Sequence, residues 1–331
     1  MKAIIPVAGA GTKLRPHTHT QPKALIPLAG KPLLDFIIEP LYEAGIKEFI
    51  FITGHLGEKI RAYIQQKYPH LQSHFVHQTD REGVGHAVWL TRELVQQDEV
   101  LIMLGDTICE FDYPSIIQAR ENLLGIKKVD DPRDFGVAEI DETHQKIVHV
   151  EEKPQIPTSN TALVGVYKII DTNVLFECLS DHVAHNIRSH DEIQLTDAIE
   201  CMIRKGILFK PFKVTVWFDC GRKDKLLESN ATLLKKRNHI PLPEGAVENS
   251  IIVQPVSIAE GCRIRDSIIG PNVTIGEHAQ VYRCIIQHSI IGSYSKLNEV
   301  VLSDSLIGSD AHLKGFSQHL NIGDNTEIDF A

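Results

Sequence analysis

The sequence predicts an α/β domain with a mostly parallel sheet flanked by helices, followed by a left-handed parallel β-helix at the C-terminus. Apolar runs alternate with helical patterns from residue 1 to about 235, which is typical of a parallel sheet covered by helices. Prolines and a glycine then interrupt the pattern between residues 237 and 250. Beyond this segment, aliphatic residues recur every six positions, a spacing typical of stacked β-helix coils.

The elements of the first region follow from local hydrophobic patterns. Apolar runs predict strands over Lys2–Val7, Glu48–Thr53, Ser73–His77, Glu99–Leu104, Gly136–Ile140 and Ala162–Ile170. Apolar residues at helical spacing predict helices over Leu33–Ala44, Gly57–Tyr68, Gly85–Gln97 and Leu195–Lys205. Because ligands bind beyond the carboxyl ends of parallel strands, we expect the loop after the first strand to lie at the active edge.

The second region carries Ile-Gly pairs at 269–270, 291–292, 307–308 and 322–323. In each case another aliphatic residue follows six positions after the isoleucine. Such imperfect hexapeptide repeats predict coils that stack and bury an aliphatic ladder. We therefore expect two domains, one over residues 1–236 and one over residues 237–331.

Composition excludes several classes of protein. Of the 331 residues, 43% are hydrophobic and 23% charged, and the formal net charge is −9, which indicates neither nucleic-acid binding nor a basic membrane surface. The first apolar run is broken by Pro6 and Gly9, and no apolar run approaches the roughly 20 residues of a membrane span. The six cysteines form no C-x-x-C pair, so we expect a cytoplasmic protein with reduced thiols, without a zinc knuckle or a disulfide framework.

The segment after the first strand combines glycines with basic residues. It contains Gly9, Gly11, Thr12 and Lys13, and Lys23 follows shortly afterwards. Glycines let the backbone approach a ligand closely, and the lysines supply positive charge, so this loop suits the phosphates of a nucleoside triphosphate. The spacing is neither that of a P-loop nor that of the dinucleotide-binding fingerprint.

Two further motifs indicate base and metal recognition. Gln78, followed by Gly83, presents an amide donor and acceptor side by side, which complements the edge of uracil or thymine. Asp106 and Asp219 each end an apolar run, and a pair of carboxylates suits Mg²⁺ bound together with substrate phosphates. Taken singly, each aspartate is equally compatible with an Asx turn or a helix cap, and Gln78 alone is weak evidence for base binding.

A third group of residues suits a sugar phosphate. Glu152 and Lys153 place an acceptor for hydroxyl groups beside a cation, and Gly136 and Gly165 lie on neighbouring apolar runs. In isolation, the same Glu-Lys pair is typical of an exposed strand end.

Read in order, these motifs resemble the sugar-1-phosphate nucleotidylyltransferases, in particular the long form of glucose-1-phosphate thymidylyltransferase with its hexapeptide-repeat tail. The resemblance implies a Rossmann-like fold, Mg²⁺, a nucleoside triphosphate and a sugar-1-phosphate as substrates, and a homo-oligomer. It implies catalytic roles for Lys13, Lys23, Asp106 and Asp219, the last two as metal ligands. It also implies that the nucleotide is bound by Gly9, Gly11, Thr12, Gln78 and Gly83, and the sugar phosphate by Gly136, Glu152, Lys153 and Gly165.

Two positions depart from the family pattern. Lys13 stands where the family usually has arginine, which removes a bidentate fork but keeps the charge, and Cys220 stands where threonine is common. Three alternatives therefore stay open: a mannose-1-phosphate guanylyltransferase, a catalytically weak nucleotide-sugar-binding regulatory protein, and a bifunctional enzyme whose β-helix transfers an acyl group. The base, the sugar and the order of the oligomer are not specified by the sequence.

Overall fold

A computed structural model describes residues 1–237 and 240–315. The chain forms two compact units, one of Met1–Ile26 and Lys31–Leu226, the other of Pro27–Gly30 and the described residues from 227 onward. None of the helices in these described ranges has the length and apolar character that a membrane span needs. The predicted domain boundary at residue 236 stays a prediction.

The helices lie mainly in the first unit, and their bounds are α1 (Asp35–Glu43), α2 (Gly57–Lys67), α3 (Val84–Trp89), α4 (Arg92–Val95), α5 (Tyr113–Gln118), α6 (Thr172–Ala184), α7 (Leu195–Arg204) and α8 (Lys223–Lys236). The strands up to residue 219 are β1 (Lys2–Pro6), β2 (Pro27–Leu28), β3 (Lys31–Pro32), β4 (Glu48–Thr53), β5 (Gln72–His77), β6 (Val100–Met103), β7 (Thr107–Glu110), β8 (Asn122–Lys128), β9 (Gly136–Asp141), β10 (Lys146–Glu152), β11 (Thr161–Ile169), β12 (Phe209–Lys213) and β13 (Val216–Asp219). Single helical turns occupy Thr12–Leu14, His17–His19 and Lys23–Leu25.

Within residues 1–226, nine strands form the central sheet in the order β5-β4-β1-β6-β11-β8-β12-β10-β9. The first four of these strands are parallel, and β11 then runs antiparallel to both β6 and β8. The predicted α/β fold is therefore confirmed, with a sheet that is parallel in its first half and mixed in its second. Strands β8, β10 and β12 were not predicted, because mixed segments such as Lys146–Glu152 alternate too weakly to be recognised.

The predicted helix over Gly85–Gln97 is divided into α3 and α4. Thr91 lies between the two helices, and its hydroxyl donates to the Val88 carbonyl oxygen at 2.7 Å. A threonine that bonds the backbone in this way competes with the helical hydrogen-bond ladder. The two short helices therefore replace one long one.

The disposition of β1 and β6 brings two loops together. These strands are parallel neighbours, with Lys2 opposite Val100, so the segments that follow them leave the same edge of the sheet. The amide of Gly105 donates to the Pro6 carbonyl oxygen at 3.1 Å. A Cβ at Gly105 would lie 2.6 Å from that same oxygen, so only glycine permits this approach.

A two-stranded ribbon of β7 and β13 lies beside the central sheet. The strands are antiparallel, and Asp219 is the register partner of Thr107, the residue after Asp106. The amide of Cys220 also donates to the Asp106 carbonyl oxygen at 3.0 Å. Two aspartates separated by more than a hundred residues in sequence are thereby brought to one end of the ribbon.

The expectation that all the cysteines are reduced is wrong for one pair. Cys178 on α6 and Cys201 on α7 form a disulfide bond, with their Cα atoms 6.1 Å apart. The two cysteines face each other because the helices pack together in the core of the first unit, an arrangement that spacing along the chain does not reveal. Cys109, Cys220, Cys262 and Cys284 are free and buried.

The second unit is built of short parallel strands, which confirms the predicted β-helix. Their bounds are β14 (Val247–Glu248), β15 (Ile251–Ile252), β16 (Val256–Ile258), β17 (Arg263–Arg265), β18 (Ile268–Ile269), β19 (Val273–Ile275), β20 (Gln280–Tyr282), β21 (Ile285–Gln287), β22 (Ile290–Ile291), β23 (Lys296–Asn298), β24 (Val301–Ser303), β25 (Leu306–Ile307) and β26 (His312–Lys314). They form three sheets, in the orders β14-β17-β20-β23-β26, β15-β18-β21-β24 and β16-β19-β22-β25.

The Ile-Gly pairs grouped together from the sequence do not all occupy equivalent positions in the β-helix. Ile275, Ile291 and Ile307 stack on one another, and each precedes a glycine, so this pair recurs once per coil of 16 residues. Ile269 instead stacks on Ile286 in a different sheet. The predicted pair at 322–323 lies outside the described residues.

Two adjacent isoleucines in the β-helix have the same side chain but differ in burial. Ile286 is fully buried, whereas the side chain of its neighbour Ile285 faces outward and is 45% exposed. We expect Ile286→Val to lower the free energy of unfolding of this unit by about 0.5–1.5 kcal/mol, because a buried methylene is lost. Ile285→Val should change it by less than about 0.5 kcal/mol. Urea unfolding followed by circular dichroism measures both, and equal effects would contradict the assigned register.

Candidate active site

Two adjoining cavities open at the carboxyl end of the parallel strands. The first has a volume of about 450 Å³ and is lined by the loop after β1, by Lys23 and by Gln78. The second has a volume of about 230 Å³ and lies between the start of β9, the end of β10 and the start of α7. The residues that line both cavities are Val84, Leu104, Asp106 and Glu192.

The loop after β1 is held by its own neighbours. Gly11 has a φ of +60°, which favours glycine, and its carbonyl oxygen accepts a hydrogen bond from the Thr18 hydroxyl at 2.8 Å. A Cβ at Gly11 would lie 2.8 Å from Thr18 Cγ2. A Cβ at Gly9, in contrast, would meet no atom of the described residues within 4 Å. Packing within the protein therefore explains glycine at position 11 but not at position 9.

Lys23 and Asp106 form an ion pair in the first cavity. Lys23 Nζ lies 2.7 Å from Asp106 Oδ2, and the lysine side chain is only 13% exposed. Burial acts to raise the pKa of the Asp106 carboxyl, but the Lys23 ammonium and the Thr107 hydroxyl outweigh it and hold that pKa below its ordinary value. Asp106 is therefore an anion at neutral pH.

Gln78 follows β5 and is buried at the wall of the first cavity. Its Nε2 atom donates to the Gly83 carbonyl oxygen at 3.0 Å and lies 3.2 Å from His86 Nδ1. Gly83 has a φ of +103°, and a Cβ there would lie 2.5 Å from the Ile193 carbonyl oxygen. The two predicted base-binding residues are thus in contact with each other.

The second cavity contains the predicted sugar-phosphate residues Gly136, Glu152, Lys153 and Gly165. Glu152 Oε2 accepts a hydrogen bond from the Thr196 hydroxyl at 2.7 Å, and Lys153 Nζ lies 3.4 Å from Glu152 Oε1. Burial, with the carboxylates of Glu152 and Asp106, raises the pKa of Tyr167 in the same wall. The cavity therefore offers hydroxyl and carboxylate oxygens beside one ammonium group.

Asp219 and Asp106 both line the second cavity. Asp219 Oδ1 accepts a hydrogen bond from the Gly221 amide at 2.9 Å, which orients the carboxylate. Within the described part of the chain, no group of three or more His, Cys, Asp or Glu side chains is arranged to hold a metal. Two oxygen ligands fit a magnesium ion whose other ligands are phosphate oxygens and water.

Lys13 is the predicted catalytic residue that the described lining of the two cavities does not include. It is exposed on the helical turn Thr12–Leu14. Gly9, Gly11 and Thr12 do line the first cavity. The predicted catalytic role of Lys13 stays a prediction.

Several residues of the cavity walls were not assigned a role from the sequence. Arg81, Glu192, Thr196 and Trp217 line the cavities, and Arg188 forms an ion pair with Glu82 at 3.1 Å beside them. The sequence offers one signal for Thr196, because Thr196-Asp197 stands at the start of a predicted helix. Arg81 and Glu192 sit in loops whose path depends on tertiary packing, so no local pattern identifies them.

Comparison with protein families gives two matches along the chain. The nucleotidyl transferase family matches residues 2–236, and the GlmU-like C-terminal hexapeptide family matches residues 240–311.

Three curated relatives match almost the whole chain. The bifunctional protein GlmU of Methanococcus vannielii is 33% identical over 95% of this chain and 73% of its own length. The low-salt glycan biosynthesis nucleotidyltransferase Agl11 of Haloferax volcanii is 29% identical over 99% of both chains. A glucose-1-phosphate thymidylyltransferase of Streptomyces griseus is 32% identical over 96% of this chain and 88% of its own.

A solved structure of UDP-glucose pyrophosphorylase complexed with UDP-glucose is similar to a large part of this chain. It aligns with a TM-score of 0.62 and 27% identity, covering 71% of this chain and 99% of that chain. The two cavities described above thus lie in the part of the chain that the nucleotidyl transferase family covers.

Proposed function

Because this chain belongs to the nucleotidyl transferase family, we propose that it transfers a nucleotidyl group from dTTP or UTP to a sugar-1-phosphate, with glucose-1-phosphate as the favoured acceptor. The products are the nucleoside diphosphate sugar and pyrophosphate. Relatives named as a glucose-1-phosphate thymidylyltransferase and a UDP-glucose pyrophosphorylase support this choice of substrates. The pair of cavities that meet at Asp106 carries the proposal.

The two cavities match the two substrates in chemistry. The first combines a glycine-rich backbone with Lys23, which suits a triphosphate, and the position of Gly9 leaves its Cα face open to a ligand. The second combines Glu152, Thr196 and Lys153, which suit the hydroxyl groups and the phosphate of a sugar phosphate. Because Asp106 lines both cavities, the reacting groups would meet beside it.

The proposed reaction is an in-line displacement at phosphorus. A phosphate oxygen of the sugar-1-phosphate forms a bond to the α-phosphorus of the nucleotide, and the bond from that phosphorus to the bridging oxygen of the β-phosphate breaks. The attacking phosphate is already anionic near neutral pH, because its second pKa is ~6 by analogy with phosphorylated side chains. No general base is needed, so catalysis consists of positioning and charge stabilisation.

Lys23 supplies positive charge where the phosphates of the two substrates approach each other. Its ammonium pairs with Asp106, so the positive charge lies beside a residue that lines both cavities. Asp106 and Asp219 would hold Mg²⁺. When bound, this ion would neutralise phosphate charge and favour departure of pyrophosphate.

Thr196 provides a test of the second cavity. Removing its hydroxyl with Thr196→Val frees Glu152 Oε2 from a hydrogen bond of 2.7 Å and leaves the carboxylate less well oriented. We expect the KM for the sugar-1-phosphate to rise about tenfold, the effect of losing one hydrogen bond to a charged group. The KM for the nucleotide should stay within about twofold in the same initial-rate assay. A rise in both values would count against separate substrate sites.

The proposed activity is tested by pyrophosphate release. Purified protein with Mg²⁺ is mixed with UTP, dTTP, GTP, CTP or ATP and with the 1-phosphates of glucose, mannose and N-acetylglucosamine. Release with UTP or dTTP and glucose-1-phosphate supports the proposal. Release only with GTP and mannose-1-phosphate identifies the guanylyltransferase alternative, and binding of nucleotide without release identifies the regulatory alternative.

Acyl transfer by the β-helix is the remaining alternative. Two histidines on the β-helix have contacts within it: His278 stacks on Tyr294 with ring centroids 5.1 Å apart, and His288 Nδ1 lies 3.1 Å from Asn272 Nδ2. His312 is on β26, and His319 lies outside the described residues. Thiol release from acetyl-coenzyme A in the presence of the sugar-1-phosphate would support this alternative.

A further inference from the structure

The amide group of Gln78 has only one possible orientation in this structure. The Gly83 carbonyl oxygen is a pure acceptor, so the amide atom 3.0 Å from it must be the NH₂ group and not the oxygen. The second N–H of that NH₂ group is directed to His86 Nδ1 at 3.2 Å. Both amide hydrogens are thereby used within the protein.

The oxygen of the same amide is left for a ligand. Gln78 Oε1 accepts no hydrogen bond from residues 1–237 and 240–315. The atom is accessible and not enclosed by the protein. Gln78 lines the first cavity. Gln78 therefore presents an acceptor to the cavity and no free donor, so of the donor and acceptor expected from the sequence only the acceptor is available to a base.

The His86 ring also packs against Trp89, which has contacts of its own. The ring centroids of His86 and Trp89 lie 5.7 Å apart, the Arg92 guanidinium lies 4.0 Å from the Trp89 ring centroid, and Trp89 Nε1 donates to Ser180 Oγ at 3.0 Å. Because His86 Nδ1 faces an N–H group, this nitrogen is the unprotonated one and acts as an acceptor. The imidazole thus fixes the second amide hydrogen of Gln78.

We propose that His86 is a positioning residue for base selection. By accepting a hydrogen bond from the Gln78 amide, it fixes the orientation of that amide so that the amide oxygen faces the base. This inference rests on the proposed function, since it concerns the base of the same nucleotide. A fixed acceptor accepts a hydrogen bond from the ring N3–H of uracil or thymine. Cytosine has a bare N3 lone pair at that position, so two acceptors would face each other. The fixed amide therefore favours bases with a ring N–H and disfavours cytosine, although cytosine is the same size as uracil.

Binding of nucleotides without a sugar phosphate tests the inference directly. Isothermal titration calorimetry compares the affinities for UTP and CTP in wild type, His86→Leu, His86→Gln and Ser180→Ala. Leucine cannot accept the amide hydrogen, whereas the side-chain oxygen of glutamine can. Ser180→Ala removes the hydrogen bond to Trp89 and leaves His86 in place, and so is the control for loosening of this region.

We expect wild type to prefer UTP, and His86→Leu to reduce the ratio of the two affinities roughly 3- to 10-fold, the effect of losing one hydrogen bond. His86→Gln should restore the ratio to within about twofold, and Ser180→Ala should leave it unchanged. An equal loss of affinity for both nucleotides in His86→Leu, or no preference in wild type, overturns the inference. The binding assay needs no turnover, so base selection without pyrophosphate release would uphold the inference while contradicting the proposed reaction.

Discussion

Replacing Lys23 by alanine is expected to lower kcat for pyrophosphate release about 10²- to 10³-fold, the effect of removing one well-placed group that stabilises developing charge. The side chain of Lys23 is largely shielded from solvent and lines the first cavity, where it pairs with Asp106, a residue that lines both cavities. Charge in such a site is screened less than charge in water. The substitution also leaves the Asp106 carboxylate without its 2.7 Å partner.

Two companion variants separate these effects. Lys210 is exposed and pairs with Glu121 on the surface, so Lys210→Ala changes the net charge by the same amount and should leave kcat within about twofold. Lys23→Arg keeps the positive charge and should therefore retain more activity than Lys23→Ala. It should not reach the wild-type rate, because a guanidinium group is larger than an ammonium group. If Lys23→Ala keeps kcat within fivefold of wild type, the lysine does not stabilise the reacting phosphates.

Asp106→Asn is expected to lower kcat to a similar extent, about 10²-fold or more, and to raise the Mg²⁺ concentration for half-maximal activity at least tenfold. Asparagine keeps the shape of the side chain but carries no charge for a metal ion or for Lys23. A Mg²⁺ titration of initial rates measures both quantities. Asp112→Asn serves as the control, because Asp112 is exposed and caps α5 through the Ser115 amide.

The pH dependence of the same reaction follows from the sign of the pKa shift. Desolvation acts to raise the pKa of Asp106, but Lys23 and Thr107 outweigh it and hold that pKa below its ordinary value, so the carboxylate stays charged until the pH falls below the pKa of an ordinary aspartate. Loss of activity between pH 7 and 5 in wild type would therefore belong to another group, such as the substrate phosphate with a pKa of ~6. An unchanged Mg²⁺ requirement in Asp106→Asn would exclude Asp106 as a metal ligand.

The fold was predictable from the sequence where hydrophobic patterns are regular. β4 begins and ends at the predicted residues, and the predicted helix over Leu195–Lys205 differs from α7 by one residue. The mixed half of the sheet was not predicted, because β11 is buried on both faces and such a run does not reveal the direction of its neighbours. The register of the β-helix was only partly visible, since coils of 16 and 17 residues do not keep a strict six-residue period.

The candidate site was predictable to the extent that motifs lie at strand ends. Gly9, Gly11 and Asp106 follow β1 and β6, whose parallel pairing brings these ends together. Lys13 satisfies the same motif and shares a helical turn with Thr12, yet Thr12 lines the first cavity and Lys13 does not, a difference that the motif alone does not reveal. His86 could not be recognised, because its role depends on a contact with Gln78 across the turn between β5 and α3.

The stacking of Ile275, Ile291 and Ile307 also bears on how such tails change in length. Each coil contacts only its immediate neighbours, so removing one whole turn of 16 residues leaves every remaining ladder aligned. Removing six residues, about one third of a coil, would instead move each later strand into a different one of the three sheets and break these ladders. The length of this region is therefore expected to change in whole coils. Complete coils can be added or deleted without a change in the sequence of the first unit.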